Sequence, residues 1–98
     1  MTVSLEKDRL TARSPEGAVM GHIRFPGIRA GLVNIASVVT EPEFRDADTA
    51  EAMMEALLCH LDRTGQKAAL TAPFAQRYVA EHPRWKRILP EQLHFTTH

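Results

Sequence analysis

The stretch FRDADTAEAMMEALLCHL, Phe44 to Leu61, decides how the rest of the chain is read, because it joins a loop to the longest helical pattern present. Ala50, Met53, Met54, Leu57, Leu58 and Leu61 recur at helical spacing and make one continuous apolar stripe. Asp48 and Glu51 stand three residues apart, the spacing of a capping box with Asp in place of Ser or Thr, and Gly65 predicts the helix stop. Two aspartates, Asp46 and Asp48, lie where the chain turns into the helix. Unpaired N–H groups and the positive end of the helix dipole make such a start an anion site, unless its own carboxylates fill it.

Upstream, LVNIASVVT from Leu32 to Thr40 is rich in β-branched residues and apolar on both alternating faces, which predicts a strand central in its sheet. Downstream, QKAALTA after Gly65 predicts a short strand parallel to it, completing a β-α-β crossover. Pro73 opens a second helix with Phe74, Tyr78 and Val79 on one face, and Pro83 ends it or kinks the chain; Arg84 to Leu89 adds a further turn. Toward the N-terminus, Val3 to Arg13 reads as a strand, or as one interrupted by a turn near EKDR, SPEG as a turn, and Ala18 to Phe25 as the returning strand of a hairpin. PGIRAG breaks the chain before the central strand. The resulting order is β-β-β-α-β-α, an α+β fold or mixed α/β sandwich with two helices covering the sheet.

The chain has 98 residues, enough for one modest core, and we expect a single domain over residues 1–93 with a loose tail at 94–98. Twelve basic and twelve acidic residues give zero net charge, which offers no general attraction for nucleic acid or acidic membranes. With one cysteine, Cys59, no internal disulfide can form. No signal-like segment and no apolar run of membrane-spanning length is visible, so the expected address is cytoplasmic. His94 and His98 have helical metal spacing but no convincing third ligand, and no metal is expected.

These residues resemble the small, roughly hundred-residue branch of the GNAT acetyltransferase superfamily. In that branch a strand ending HT-x-V-P runs through a loop of the type FRGxGIA into an amphipathic helix, and an LTC…YV…P segment follows. Here FRDADTA (Phe44 to Ala50) and LTAPFAQRYVAEHP (Leu70 to Pro83) take the two latter places, and the resemblance covers about Ala18 to Leu89. It implies two splayed parallel strands with acetyl-CoA between them. It also implies that Val39, Thr40, Arg45, Asp46, Ala47, Asp48, Thr49 and Ala50 line the cofactor, and that an amine accepts the acetyl group.

The chain departs from the pattern at Asp46 and Asp48, which match the two loop glycines, at Ala72, which matches the cysteine, and at Ser37 and Val38, which match HT. At about 7 Å from a doubly charged pyrophosphate, the two aspartates together would cost about 2 kcal/mol or more, a tenfold loss of affinity. The alternative use of the same carboxylates is to cap the helix and favour its dipole.

Tyr78 is the candidate catalytic side chain, a proton donor to the leaving thiolate, with His82 four residues on sharing its face; a core tyrosine beside a helix-end histidine is the other reading. Cys59 next to the apolar stripe reads as a small hydrophobe, with His60 diverging from it around the helix. Met53 and Met54 read as core. Trp85 within RWKR reads as a packed aromatic flanked by solvated charges, in preference to a nucleic-acid stacking patch. Two functions remain open. One is acetyl transfer by direct attack of an amine, which needs no cysteine. The other is a non-catalytic module that has lost CoA and binds a protein partner or a second copy of itself.

Overall fold

The structure, a computed structural model, describes residues 1–45 and 48–90. The expectations for Asp46, Ala47, His94, His98 and the C-terminal tail lie outside these residues. Among the described residues, seven strands and two α-helices follow in order: β1 (Thr2–Leu5), β2 (Arg9–Arg13), β3 (Val19–Arg24), β4 (Gly27–Arg29), β5 (Leu32–Ile35), β6 (Ser37–Thr40), α1 (Thr49–Arg63), β7 (Lys67–Leu70) and α2 (Pro73–Glu81). Short 3-10 helices occupy Pro42–Phe44 and Pro83–Ile88.

The interruption near EKDR is a tight turn, in which the Glu6 amide donates to Arg9 O at 2.8 Å, so the N-terminal segment is the hairpin β1–β2. SPEG turns the chain into β3 as its Pro and Gly predict, with Gly17 at φ 92°. Two expectations are corrected. PGIRAG does not merely break the chain, because Gly27–Arg29 forms β4 antiparallel to β5. Leu32–Thr40 is not one strand, because it divides at Ala36. The Ala36 amide donates to Arg24 O at 2.9 Å while Ser37 also faces Arg24, so two residues oppose one and the strand bends at a β-bulge.

The bulge sends the two halves into different sheets. β5 is central in a three-stranded sheet, order β4-β5-β7, and runs parallel to β7 with Val33 facing Ala68 and Ile35 facing Leu70. β6 is an edge strand in the four-stranded antiparallel sheet β1-β2-β3-β6. The predicted central position therefore holds for the first half only.

Helix α1 lies across both sheets, contacting β2, β3, β6 and β7. Its stripe is the centre of the core: Met53, Met54, Leu57, Leu58 and Leu61 are fully buried, as are Leu10, Ile23 and Ile35 beneath them. Each such side chain gains about 1.5–3 kcal/mol on burial, more than the helix earns from propensity. Gly65, at φ 73°, ends α1 as expected: its amide reaches Asp62 O at 3.2 Å and the Gln66 amide reaches Leu61 O at 2.8 Å, the two bonds of a Schellman motif. Among the described residues no helix is long and apolar enough to cross a membrane.

Gly21 in β3 sits beneath Met53 of α1 and against the neighbouring strand β6. A Cβ there would collide with the Val39 carbonyl and lie 2.9 Å from Met53 Cε. The carbonyl belongs to the neighbouring strand and cannot rotate away. Gly21→Ala is therefore expected to cost about 1–3 kcal/mol in chemical denaturation, and a loss of only a few tenths would contradict the close approach.

Candidate functional site

The division at Ala36 leaves β6 and β7 splayed, with β6 paired on one side only among the described residues. In an antiparallel ladder, alternate residues turn their main-chain groups toward the partner. The Glu41 amide donates to Met20 O at 2.8 Å, and with Val39 facing His22 this parity directs Ser37, Val39 and Glu41 toward β3. The N–H and C=O of Val38 and Thr40 consequently face the splay. At the other wall, Ile35 O accepts from the amides of both Thr71 (3.1 Å) and Ala72 (3.0 Å), and the Thr71 hydroxyl lies 3.2 Å from Asn34 Oδ1.

Beyond β6 the chain passes through Pro42–Phe44 into α1. Asp48 precedes the helix in the left-handed region, φ 54° and ψ 26°, and makes no side-chain capping bond. The expected Asp48/Glu51 capping box is thus corrected: a left-handed backbone carries the aspartate side chain away from the first-turn amides. The Ala52 amide donates to Asp48 O at 3.0 Å, and helix geometry gives the preceding amides of Thr49, Ala50 and Glu51 no acceptor within α1. Thr49 is buried, and its hydroxyl donates to Phe44 O at 3.3 Å, drawing the loop closed. Arg45 and Asp48 are exposed. The helix start thus keeps amide donors and the positive dipole end beside the free edge of β6.

Of the expected cofactor-lining residues, Val39, Thr40, Arg45, Asp48, Thr49 and Ala50 lie on β6, on the loop or in the first turn of α1. Val39 differs from Thr40 in what it offers, since its amide is turned to β3 and its side chain is exposed. Val38, absent from those expectations, presents the main-chain groups instead. Strand parity depends on the bulge, which no residue type at Ala36 announces.

Tyr78 occupies a different arrangement from the one expected of a free phenol. Its hydroxyl donates to Glu55 Oε1 at 2.8 Å, and the Trp85 indole N–H donates to the same oxygen at 3.1 Å. Arg84 forms an ion pair with Glu55 Oε2, and Cys59 Sγ lies 3.9 Å from that oxygen. His82 stacks on the Tyr78 ring at 4.1 Å between centroids, and its Nδ1 is 2.8 Å from Tyr78 O. The two rings share a face as expected, with no phenol–imidazole hydrogen bond. Burial and the bond to Glu55 push the Tyr78 phenol up to about 12. The Tyr78 bond, then the Trp85 and Arg84 bonds, outweigh burial and hold the Glu55 carboxyl below its ordinary value.

This carboxylate ties α1 to α2 and to the 3-10 helix after it, and sequence reasoning missed it: its partners lie 23 to 30 residues away. Trp85 is buried, as expected, between Arg84 and Arg87, whose guanidinium carbons lie 5.0 and 5.6 Å from its ring centre. An apolar pocket of about 300 Å³ lies outside β7 between Leu70, Val79, Ala80 and Leu89.

Tyr78→Phe is expected to destabilise the fold by about 1–2 kcal/mol, since a hydrogen bond to a charged group is lost while two donors remain on Glu55; an unchanged melting temperature would contradict this. The pH dependence follows from the sign of the shift. A depressed carboxyl contributes stability that is present above its unfolded value of 4.5 and is lost as pH falls through the folded value. Glu55→Gln should flatten the acid limb of the melting curve below pH 4.5, and an acid limb as steep as that of the wild type would exclude the carboxylate as its source.

Residues 9–88 match the family model described as GCN5-related N-acetyl-transferase. Among solved structures the fold is similar to a GCN5-like protein from Staphylococcus aureus determined by NMR, with 11% identity, TM-score 0.72, and coverage of 91% of this chain and 87% of that one. It is also similar to Rv2747 from Mycobacterium tuberculosis, solved in complex with CoA, with 19% identity and TM-score 0.63. That likeness covers 79% of this chain and 48% of the larger protein. No curated protein matches the chain in sequence. With the family match running from β2 to the end of the second 3-10 helix, the chain belongs to the GCN5-related N-acetyltransferases.

Proposed function

We propose that this protein binds acetyl-CoA in the splay between β6 and β7 and transfers the acetyl group to an amine by direct attack. The observation that carries the proposal is the meeting of two sets of main-chain donors. The amides of Thr49 to Glu51 lie at the start of α1, and the groups of Val38 and Thr40 are turned into the splay. Such donors fit a pyrophosphate at one end and an extended amide chain with a carbonyl at the other.

Acetyl-CoA, when bound, supplies an acyl group already activated as a thioester: the amine nitrogen forms the new C–N bond as the C–S bond breaks, and the proton shed by the amine passes through solvent to the departing thiolate. The first-turn amides and Arg45 hold the phosphates. Val38 and Thr40 align the amide chain as a further strand would, and a main-chain N–H of β6 aimed at the thioester oxygen takes up the charge that develops there. Position is then the main contribution of the protein, and Ala72 in place of a cysteine removes nothing that direct attack needs. Tyr78 acts here as a brace holding α2 against α1. With its hydroxyl bonded to a carboxylate, it gives up a proton far less readily than a free phenol.

The exposed Asp48 weakens this site without closing it. One carboxylate about 7 Å from two phosphate charges costs about 1.2 kcal/mol in water, which is less than tenfold in affinity. A second reading, a non-catalytic module that has given up CoA for a protein partner or a second copy of itself, is favoured by that same negative charge beside the phosphate position.

Calorimetric titration with acetyl-CoA separates the two readings. Saturable binding is expected in the micromolar range, with Asp48→Gly binding about five- to tenfold tighter and remaining as stable, because glycine accepts the left-handed backbone at φ 54°. Absence of binding at millimolar ligand by both proteins would overturn the proposal in favour of the non-catalytic module.

A further inference from the structure

Both helices pack on one side of the sheets, and the other side of the four-stranded sheet has no layer over it among the described residues. The alternation along β2 and β3 makes this plain: Leu10, Ala12, Gly21 and Ile23 are buried toward α1, while Arg9, Arg13 and Arg24 are exposed. Thr11 and His22 lie between them in register, with Thr11 facing His22 and His22 facing Val39. A face with this polarity is solvated when the protein is alone.

Its charge is one-sided. Arg9 stands directly opposite Arg24, with Cβ atoms about 5 Å apart, a pairing in which like charges oppose folding. Arg13 adds a third cation one strand length away. Among the described residues the ion pairs are Arg84–Glu55 and Arg87–Asp62, both on the helical side, so none of the three sheet arginines is neutralised. The strand positions on this face contribute no carboxylate; Glu6 and Asp8 lie in the β1–β2 turn, and Glu41, one residue past β6, continues the register of Ser37 and Val39. A carboxylate between Arg9 and Arg24 would accept from both guanidinium groups and remove their repulsion at once.

We propose that this open sheet face is a docking surface for an acidic polypeptide segment, independent of acetyl-CoA. The choice of polypeptide over nucleic acid rests on what the face lacks. Among the described residues it carries no Phe, Tyr or Trp on which successive bases would stack, because Phe25, Tyr78 and Trp85 are buried elsewhere and Phe44 and Phe74 belong to other elements; its one ring is the half-buried His22 imidazole. The chain as a whole is neutral, so a polyanion gains no long-range attraction. Recognition is local, at three guanidinium groups whose spacing along and across strands matches side-chain carboxylates on an extended chain.

The test is fluorescence anisotropy of a labelled poly-L-glutamate of about twenty residues, with wild type, Arg24→Glu and Arg63→Glu, at about 50 and about 200 mM salt. Both variants change the net charge equally, but Arg63 is on α1, away from the face. The expected result is saturable binding by wild type and Arg63→Glu that weakens with salt, and a loss of at least about tenfold in Arg24→Glu. Arg24→Glu should melt at or above the wild-type temperature, since opposite charges then face each other across β2 and β3. Lack of binding by the wild type, equal losses in both variants, or tighter binding of a single-stranded oligothymidylate of equal charge would each overturn the proposal.

Discussion

The bulge opposite Arg24 is the constraint on which the other features depend. Without it, Leu32 to Thr40 would remain one strand, and its hydrogen-bonding groups would be used on both sides. By inserting one residue at Ala36, the chain leaves β7 and pairs only with β3. The backbone groups of Val38 and Thr40 then have no strand beside them among the described residues, in the part of the molecule that leads into the loop before α1. A backbone irregularity of one residue thus produces both the opening and its lining.

Such an opening must be kept from collapsing. Helix α1 does so by spanning both sheets, its buried stripe resting on Ile23 from one and Ile35 from the other. Glu55 adds a polar lock on the far side of α1, where Tyr78, Trp85 and Arg84 converge from α2 and the following 3-10 helix. A partly exposed carboxylate with three donors fixes direction more than it adds stability. With both helices and the lock on one side, the opposite face of the four-stranded sheet is left to largely polar side chains, among them Arg9, Thr11, Arg13, His22 and Arg24.

How much of this the sequence discloses depends on the range of the interactions. The α1 stripe, the Gly65 stop, the Pro73 start of α2 and the SPEG turn are local patterns, and each is found where the residues predict it. The bulge is not local. Ala36 and Ser37 carry no signature of it, and β-branched residues on both sides favour one uninterrupted strand. The Asp48 conformation is hidden for a related reason: Asp at a helix start ordinarily caps, and only the backbone shows that φ 54° takes the side chain out of reach. Glu55 belongs to an otherwise solvated register of α1, so its three partners emerge only from the packing of α2. The arginine face is readable as alternation along β2 and β3, but its uncovered state depends on where the helices pack.

Whether the start of α1 and the free edge of β6 form one ligand site is open to direct measurement. Amide chemical-shift mapping with CoA tests it most directly, because the groups in question are main-chain N–H. The amides of Val38, Thr40, Thr49, Ala50 and Glu51 are expected to shift together along one saturable curve, while those of Ser37 and Val39, bonded to β3, shift less. Saturable shifts confined to other elements, or no shifts at millimolar CoA, would contradict this expectation.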